Sequence, residues 1–233
     1  MIELLQQTSG LIGSLEDIKA LSQKDHARIL TISDSHGSYR IFAKIIKEFG
    51  SKCDALIFAG DGARDLAEIL EEANEREDFI KCLPPVIAFV RGNNDPNTIP
   101  VSYDIGKYNL EARTLLKGSV IIPYSQTLNV NGHNILITHG HLQNIEYSYE
   151  PISEIAKEKA CKTVIYGHTH FPQNLDAKDI RLINPGSISR PRGGMPATFA
   201  ILTVEKTFID TAFLKINNPL LGRGISYSVL KGI

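Results

Sequence analysis

Five times along this chain a short apolar run stops at a cluster of His, Asp, Asn and Gly. Arg28–Ser33 (RILTIS) is followed by Asp34-Ser35-His36, and Ala55–Ala59 (ALIFA) by Gly60-Asp61. Val86–Val90 (VIAFV) leads through Arg91 to Gly92-Asn93-Asn94-Asp95. Asn134–Thr138 (NILIT) meets His139-Gly140-His141, and Thr163–Tyr166 (TVIY) meets Gly167-His168-Thr169-His170. Short apolar runs bounded by glycine read as buried strands. In open α/β sheets ligands collect beyond the carboxyl ends of strands. The repeated placement therefore predicts that polar groups far apart in sequence converge on one site. A further run, Arg181–Ile183, ends at Asn184-Pro185-Gly186-Ser187, a turn suited to shaping the floor of that site.

Helical stripes separate the first strands. Ile41, Ile45, Ile46 and Phe49 share one face before Gly50, and Leu66, Ile69, Leu70 and Ala73 share another. Strand–helix–strand order predicts parallel strands with right-handed crossovers. The second half is richer in strands: Ser119–Ile122, Thr127–Val130, and a final pair, Ala197–Val204 and Thr207–Leu214. Asn131-Gly132 predicts a hairpin, and Ile152–Ala160 a short helix. Parallel strands are expected to dominate the first half and antiparallel strands the second. The fold expected is α/β, a four-layer αββα sandwich of two mixed β-sheets flanked by helices. Residues 1–27 read as an N-terminal helical extension capped by Ser14, residues 28–216 as the main domain, and residues 217–233 as an irregular tail. Asn94–Lys117 is polar and weakly patterned, as a flap or surface excursion would be.

Bulk properties exclude several classes. A chain of 233 residues with 42% hydrophobic and 22% charged residues can bury a core without staples. Its net charge of −1 gives no basic field, so no stable nucleic-acid complex is expected. No apolar run reaches the roughly 18–20 residues needed to span a bilayer, so no membrane is expected. Met1–Gln7 lacks the pattern of a signal peptide. Cys53, Cys82 and Cys161 are scattered and odd in number, which suits a reducing, cytoplasmic setting.

The polar clusters pair carboxylate oxygen with imidazole nitrogen, a donor set that suits Mn²⁺, Fe²⁺, Zn²⁺, Co²⁺ or Ni²⁺. Clustered thiols for structural zinc and all-oxygen loops for calcium are both missing from the sequence. Each cluster alone is compatible with a turn or a helix cap. The order Asp-x-His, Gly-Asp, Gly-Asn-x-Asp, His-Gly-His, Gly-His-x-His is far more specific. It resembles the calcineurin-like metallophosphoesterase superfamily, and most closely its small YfcE-like phosphodiesterase branch, over about Arg28 to Leu214.

The resemblance implies a dinuclear metal centre, with manganese the first choice and iron, zinc, nickel and cobalt as alternatives. Matched motif by motif, one ion would be held by Asp34, His36, Asp61 and His170. The other would be held by Asp61, Asn93, His139 and His168, with Asp61 bridging. A hydroxide shared by the ions would attack phosphorus in line with the leaving oxygen of a small phosphodiester or nucleotide-like substrate. Much of the superfamily has histidine where this chain has Asn94. A carboxamide can position a phosphate but is no general acid. The resemblance thus leaves Asn94 as a positioning group and His141 as the nearest candidate acid, with good leaving groups favoured. Arg64, Arg91, Arg190 and Arg192 are candidate phosphate contacts. His26 and His133 read as surface histidines. The alternatives are a nucleotidase-like phosphomonoesterase and a non-catalytic scaffold of the Vps29-like kind. A homo-oligomer is compatible with either terminal segment.

Overall fold

The computed structural model describes residues 4–101, 118–218 and 224–233. Six strands form one mixed sheet in the order β13-β12-β11-β1-β2-β3. They are β1 (His26–Ile32), β2 (Ala55–Phe58), β3 (Val86–Phe89), β11 (Thr198–Glu205), β12 (Ile209–Asn217) and β13 (Ser226–Val229). Five strands form a second, in the order β6-β7-β8-β10-β9. These are β6 (Ser125–Val130), β7 (His133–Thr138), β8 (Thr163–Ile165), β9 (Gln173–Ala177) and β10 (Ile180–Asn184). A two-stranded ribbon joins β4 (Thr98–Val101) to β5 (Gly118–Ile121).

The alternation of side chains along the strands builds the layers. Leu30, Leu56, Phe58, Ile87 and Phe89 face one way and pack on α2 (Tyr39–Phe49) and α3 (Ala63–Glu75). Their neighbours Ile29, Ala55, Ile57, Val86 and Ala88 face the second sheet, meeting Leu128, Ile135, Ile137, Ile165 and Ile183. On the far side Leu136, Val164, Tyr166 and Leu182 pack against Ile152 and Ala156 of α5 (Glu150–Glu158). These three apolar interfaces make the αββα sandwich. A fully buried aliphatic side chain contributes about 1.5–3 kcal/mol. A one-residue slip would turn each strand's set to the wrong face, so the alternation fixes register.

Local signals explain the elements. In α1 (Leu15–Gln23) the Ser14 hydroxyl accepts from the Asp17 amide at 2.9 Å, as an N-cap should. Asn131 and Gly132 both take positive φ (51° and 77°) in the tight β6–β7 turn, with Val130 paired to His133. Among the described residues no helix is long and apolar enough to cross a membrane.

The structure sharpens three expectations. The N-terminal extension packs on the domain: Leu4 and Ile12 are buried, and Ile12 exchanges backbone hydrogen bonds with Ile87. It thereby covers the exposed edge of β3. The tail is not wholly irregular, because β13 pairs antiparallel with β12. Tyr227 anchors it, with its ring 4.9 Å from that of Phe49 and 5.6 Å from that of Phe199. Finally, β7, β8 and β10 are parallel to one another. The α5 crossover carries the chain from β7 back to begin β8 on the same side, while antiparallel pairs (β6–β7, β9–β10, β11–β12 and β12–β13) still predominate in the second half, as expected. Of the expected surface excursion, the ends form the β4–β5 ribbon, and residues 102–117 lie outside the described residues.

Candidate metal centre

All six motif-bearing strands run parallel within their sheets: β1, β2 and β3 in the first, β7, β8 and β10 in the second. Their carboxyl ends therefore emerge along one edge of each sheet. Hydrogen bonds stitch the two edges together. The His139 Nδ1–H donates to the Ala59 carbonyl at 2.7 Å. The His168 amide donates to Asp34 Oδ2 at 3.1 Å. The Ser187 hydroxyl donates to the Asp34 carbonyl at 2.7 Å.

Asp34, His36, Asp61 and His170 each offer a ligand atom, and these atoms lie within 4.8 Å of one another. His170 Nε2 is 3.1 Å from Asp34 Oδ1 and 3.0 Å from His36 Nε2. His36 Nε2 lies 3.8 Å from both Asp34 Oδ1 and Asp61 Oδ2. The His170 Nδ1 sits 2.6 Å from the Arg190 carbonyl, which requires a proton on Nδ1 and leaves Nε2 as a lone pair in the neutral ring. The Ala59 contact assigns His139 the same way. Its Nε2 then points at Asp61 Oδ2 (3.6 Å) and Asp34 Oδ1 (3.9 Å).

These atoms fit a divalent cation. Asp34 Oδ1 and His139 Nε2 are buried and have no hydrogen-bond partner among the described residues. Leaving two such polar atoms orphaned is costly, and a cation between lone pairs removes the cost. Oxygen and imidazole nitrogen are the donors that first-row divalent metals take. The other Asp34 oxygen is already engaged by the Ser33 hydroxyl at 2.5 Å and the His168 amide, so only Oδ1 faces inward.

The backbone is bent to this purpose. Asp34, His36, Asp61, His168 and His170 all take positive φ, between 43° and 68°. Such conformations cost non-glycine residues on the order of 1–3 kcal/mol each and concentrate at functional sites. Gly92 meets a sharper constraint: a Cβ there would lie 2.0 Å from Asp61 Oδ1. Only glycine lets the third motif pass so close to the second.

The remaining nominated residues are placed differently. Asn93 is exposed and lines the same cleft. His168 lies beside His139, ring centroids 5.2 Å apart, but its Nε2 is 3.3 Å from the Glu146 carboxylate and it stands outside the close four-residue cluster. Asn94 turns to Asp61: its amide donates to Oδ1 at 2.9 Å and its Nδ2–H to Oδ2 at 2.6 Å. Its donors are thus spent on holding that carboxylate. His141 packs near His139 and His168, and its Nδ1 is buried without a partner among the described residues. Of the four arginines, Arg190 and Arg192 line the cleft. Arg91 stacks on Tyr124, its guanidinium 3.9 Å from the ring centre, and Arg64 is a surface residue 3.9 Å from Glu68. His26 and His133 both contact Glu205, away from the cluster.

Burial opposes charge on Asp61, yet the facing His139 imidazole and the Asn94 donors hold its carboxyl well below the usual range. Burial likewise opposes a proton on His139, but Asp61 and Asp34 raise it above an ordinary imidazole. His36, His141 and His168 are pushed down, first by burial and for the latter two by His139.

A motif reading gives no role to three carboxylates. Glu146 reaches His168 from the loop after β7. Asp65 accepts from the Ser35 hydroxyl and the amides of Gly37 and Ser38, fixing the turn that carries His36. Asp95 accepts from the amides of Asp61, Gly62, Ala63 and Gly92. A carboxylate three residues or so from a strand-end motif was the signal available for the last two. The Asn184–Ser187 turn braces the floor, with Ser187 Oγ also accepting from the Ser189 and Arg190 amides. Ser187→Ala is expected to lower stability by about 1–3 kcal/mol. Thermal unfolding would show a Tm drop of about 3–10 °C, and an unchanged Tm would remove the bracing role.

With this geometry in place, similarity to known proteins is informative. Residues 28–207 match the calcineurin-like phosphoesterase superfamily domain. The chain is 29% identical to the probable metallophosphoesterase YsnB of Bacillus subtilis over 185 residues, 79% of this chain and 89% of that protein. It is 29% identical to the phosphodiesterase YfcE of Escherichia coli over 181 residues, 75% of this chain and 86% of that protein. The structure of vacuolar protein sorting 29 from Cryptosporidium parvum superimposes with a TM-score of 0.59 at 14% identity, covering 90% of this chain and 100% of that one. That last likeness is one of fold.

Proposed function

The chain belongs to the calcineurin-like phosphoesterase superfamily, and from that premise we propose that it is a phosphodiesterase working with two divalent ions. The observation that carries this reading is the pair of orphaned buried atoms, Asp34 Oδ1 and His139 Nε2, aimed at the Asp61 side of the cluster. Asp34, His36, Asp61 and His170 would hold one ion, and Asp61, Asn93, His139 and His168 the other. The position of Asp61 Oδ2, 3.8 Å from His36 Nε2 and 3.6 Å from His139 Nε2, supports its sharing between them. Manganese is the proposed ion, and iron, zinc, nickel and cobalt suit the same donors. Bound there, such ions supply Lewis-acid charge to phosphoryl oxygens and make water a better nucleophile.

The chain's own groups define the rest. Asn94 keeps both oxygens of Asp61 oriented. His141 is pushed below the ordinary imidazole range, first by burial and then by His139 and His168. With Asn94 unable to act as a general acid, protonation of the leaving group would fall to His141 alone. Substrates with good leaving groups are favoured for that reason. The similarity to YfcE supports the diester over the monoester.

Purified protein should bind Mn²⁺ and hydrolyse bis(p-nitrophenyl) phosphate faster than p-nitrophenyl phosphate, and lose that activity on chelation. Preference for the monoester would replace the diesterase with a nucleotidase-like reading. Failure to bind any divalent ion, together with no hydrolysis, would leave the scaffold reading instead.

A further inference from the structure

The cleft that holds His36, Asp61, His168 and His170 is small, about 390 Å³, and its remaining wall is Asn93, Asn94 and the Arg190-Pro191-Arg192 segment. Among the described residues Pro191 is the one apolar residue in that lining. The described part of the wall offers little to grip a nucleobase or an aryl ring. It has two guanidinium groups, and they are set differently from ordinary surface arginines.

Their backbone is tied to the ligands themselves. The Arg190 carbonyl accepts from His170 Nδ1–H at 2.6 Å, and the Arg192 amide donates to the His170 carbonyl at 3.3 Å. The Arg190 amide donates to Ser187 Oγ at 2.8 Å, and that hydroxyl in turn holds Asp34. Among the described residues no carboxylate pairs with Arg190, although its charge reaches His36. Arg192 has, among the described residues, one acidic neighbour: Glu146 Oε1 lies 3.9 Å from its Nη1 and 3.3 Å from His168 Nε2. A carboxylate oxygen already sits between a guanidinium and a cluster imidazole, so this corner accepts an anion. Guanidinium groups can engage phosphate oxygens with two N–H donors at once.

We propose that Arg190 and Arg192 form a second anion subsite beside the metal centre, so that the substrates are phosphodiesters carrying a further phosphate group within a few bonds of the scissile one. The assignment rests on the phosphodiesterase reading for the scissile phosphate and adds what lies next to it. Glu146 screens Arg192 until the second phosphate displaces it. The organic part of the substrate projects from the cleft and is read weakly.

Two thymidine esters isolate the effect, because they share a scissile bond and a leaving group. They are thymidine 5′-(p-nitrophenyl phosphate) and the same compound bearing a 3′-phosphate. In Mn²⁺ buffer the ratio of kcat/KM should favour the 3′-phosphorylated ester by about ten-fold or more. In the double variant Arg190→Gln, Arg192→Gln that ratio should fall towards one. A ratio near one in the wild type, or one retained in the variant, would overturn the subsite. Exchanging thymine for adenine should leave the ratio unchanged, whereas a base-dependent ratio would move recognition to the base and overturn it as well. Calorimetry reads the subsite without turnover: thymidine 3′,5′-bisphosphate should bind more tightly than the 5′-monophosphate to the wild type, and the difference should vanish in the variant. If neither ester is hydrolysed, the hydrolase reading fails by itself, and equal binding of the two nucleotides then rejects the subsite separately.

Discussion

Asp61→Asn is expected to abolish high-affinity Mn²⁺ binding and to cut kcat/KM for bis(p-nitrophenyl) phosphate about a thousand-fold, a loss of roughly 4 kcal/mol. Asparagine keeps the shape, so the consequence is electrostatic. The charge that faces His139 Nε2 at 3.6 Å and His36 Nε2 at 3.8 Å disappears. Of the two oxygens that now accept from Asn94, one becomes an NH₂ group, which sets donor against donor across a 2.6 Å contact or turns the amide the wrong way. The backbone is spared, because asparagine tolerates the left-handed φ of 56° at this position. Folding should therefore survive while metal binding does not. His133→Ala is the companion variant. Its ring contacts the Glu205 carbonyl, remote from the cluster, and its activity should stay within about two-fold of wild type. Calorimetric titration with Mn²⁺ and the diester assay check both, and equal behaviour of the two variants would reject the assignment of Asp61.

What the sequence could show about this site follows from how each residue is held. Asp34, His36, Asp61, His139 and His170 were legible because each stands directly at the end of a buried apolar strand, where periodicity and glycine mark the spot. The strands themselves were legible for the same reason: VIAFV has no polar residue to confuse its reading, and Asn131-Gly132 can hardly be anything but a hairpin turn. β9 was not, since Gln173–Ala177 is an edge strand with no fully buried residue and hence no apolar pattern. β4 was hidden by Pro100, which is tolerated there because the strand belongs to a two-stranded ribbon. β13 sets one aromatic anchor between two serines and ends in an exposed valine, so only its pairing with β12 reveals it.

Side-chain direction was less legible than position. Asn94 lies in the motif as expected, but whether its amide faces a substrate or its own neighbour depends on how the third motif crosses the second at Gly92. Glu146 looks like any acidic loop residue. Its meeting with His168 depends on how the loop after β7 folds back, a contact between residues from different strand ends. The same holds for the positive φ of five nominated ligands, which is a property of the assembled edge.

Asp95→Ala should differ from Asp61→Asn by adding a large loss of stability to the loss of metal affinity. One oxygen of Asp95 accepts from Gly62 at 2.9 Å and Ala63 at 2.8 Å, and the other from Asp61 at 2.7 Å and Gly92 at 3.0 Å. Gly62 and Ala63 open α3, so the carboxylate also meets the positive end of that helix. Hydrogen bonds to a charged group contribute about 1.5–3 kcal/mol each when judged singly. They are not additive, and water can enter a half-buried site, so a total of about 3–5 kcal/mol is expected. At about 2–4 °C per kcal/mol that lowers Tm by roughly 10 °C or more. Asp61 would lose the anchor on its amide and with it the direction of its carboxylate, weakening Mn²⁺ binding by about 10–100-fold, as for other outer-sphere supports. Asp95→Asn separates charge from shape: one oxygen can still accept from one pair of amides, while the NH₂ group opposes the other pair. It should fall between wild type and Asp95→Ala in both Tm and Mn²⁺ affinity. A variant that loses affinity at unchanged Tm would make Asp95 a participant in binding, and one that loses Tm at unchanged affinity would make it a helix cap alone. The geometry requires both losses together, because the same four amides join the N-terminus of α3 to the strand end that carries Asp61.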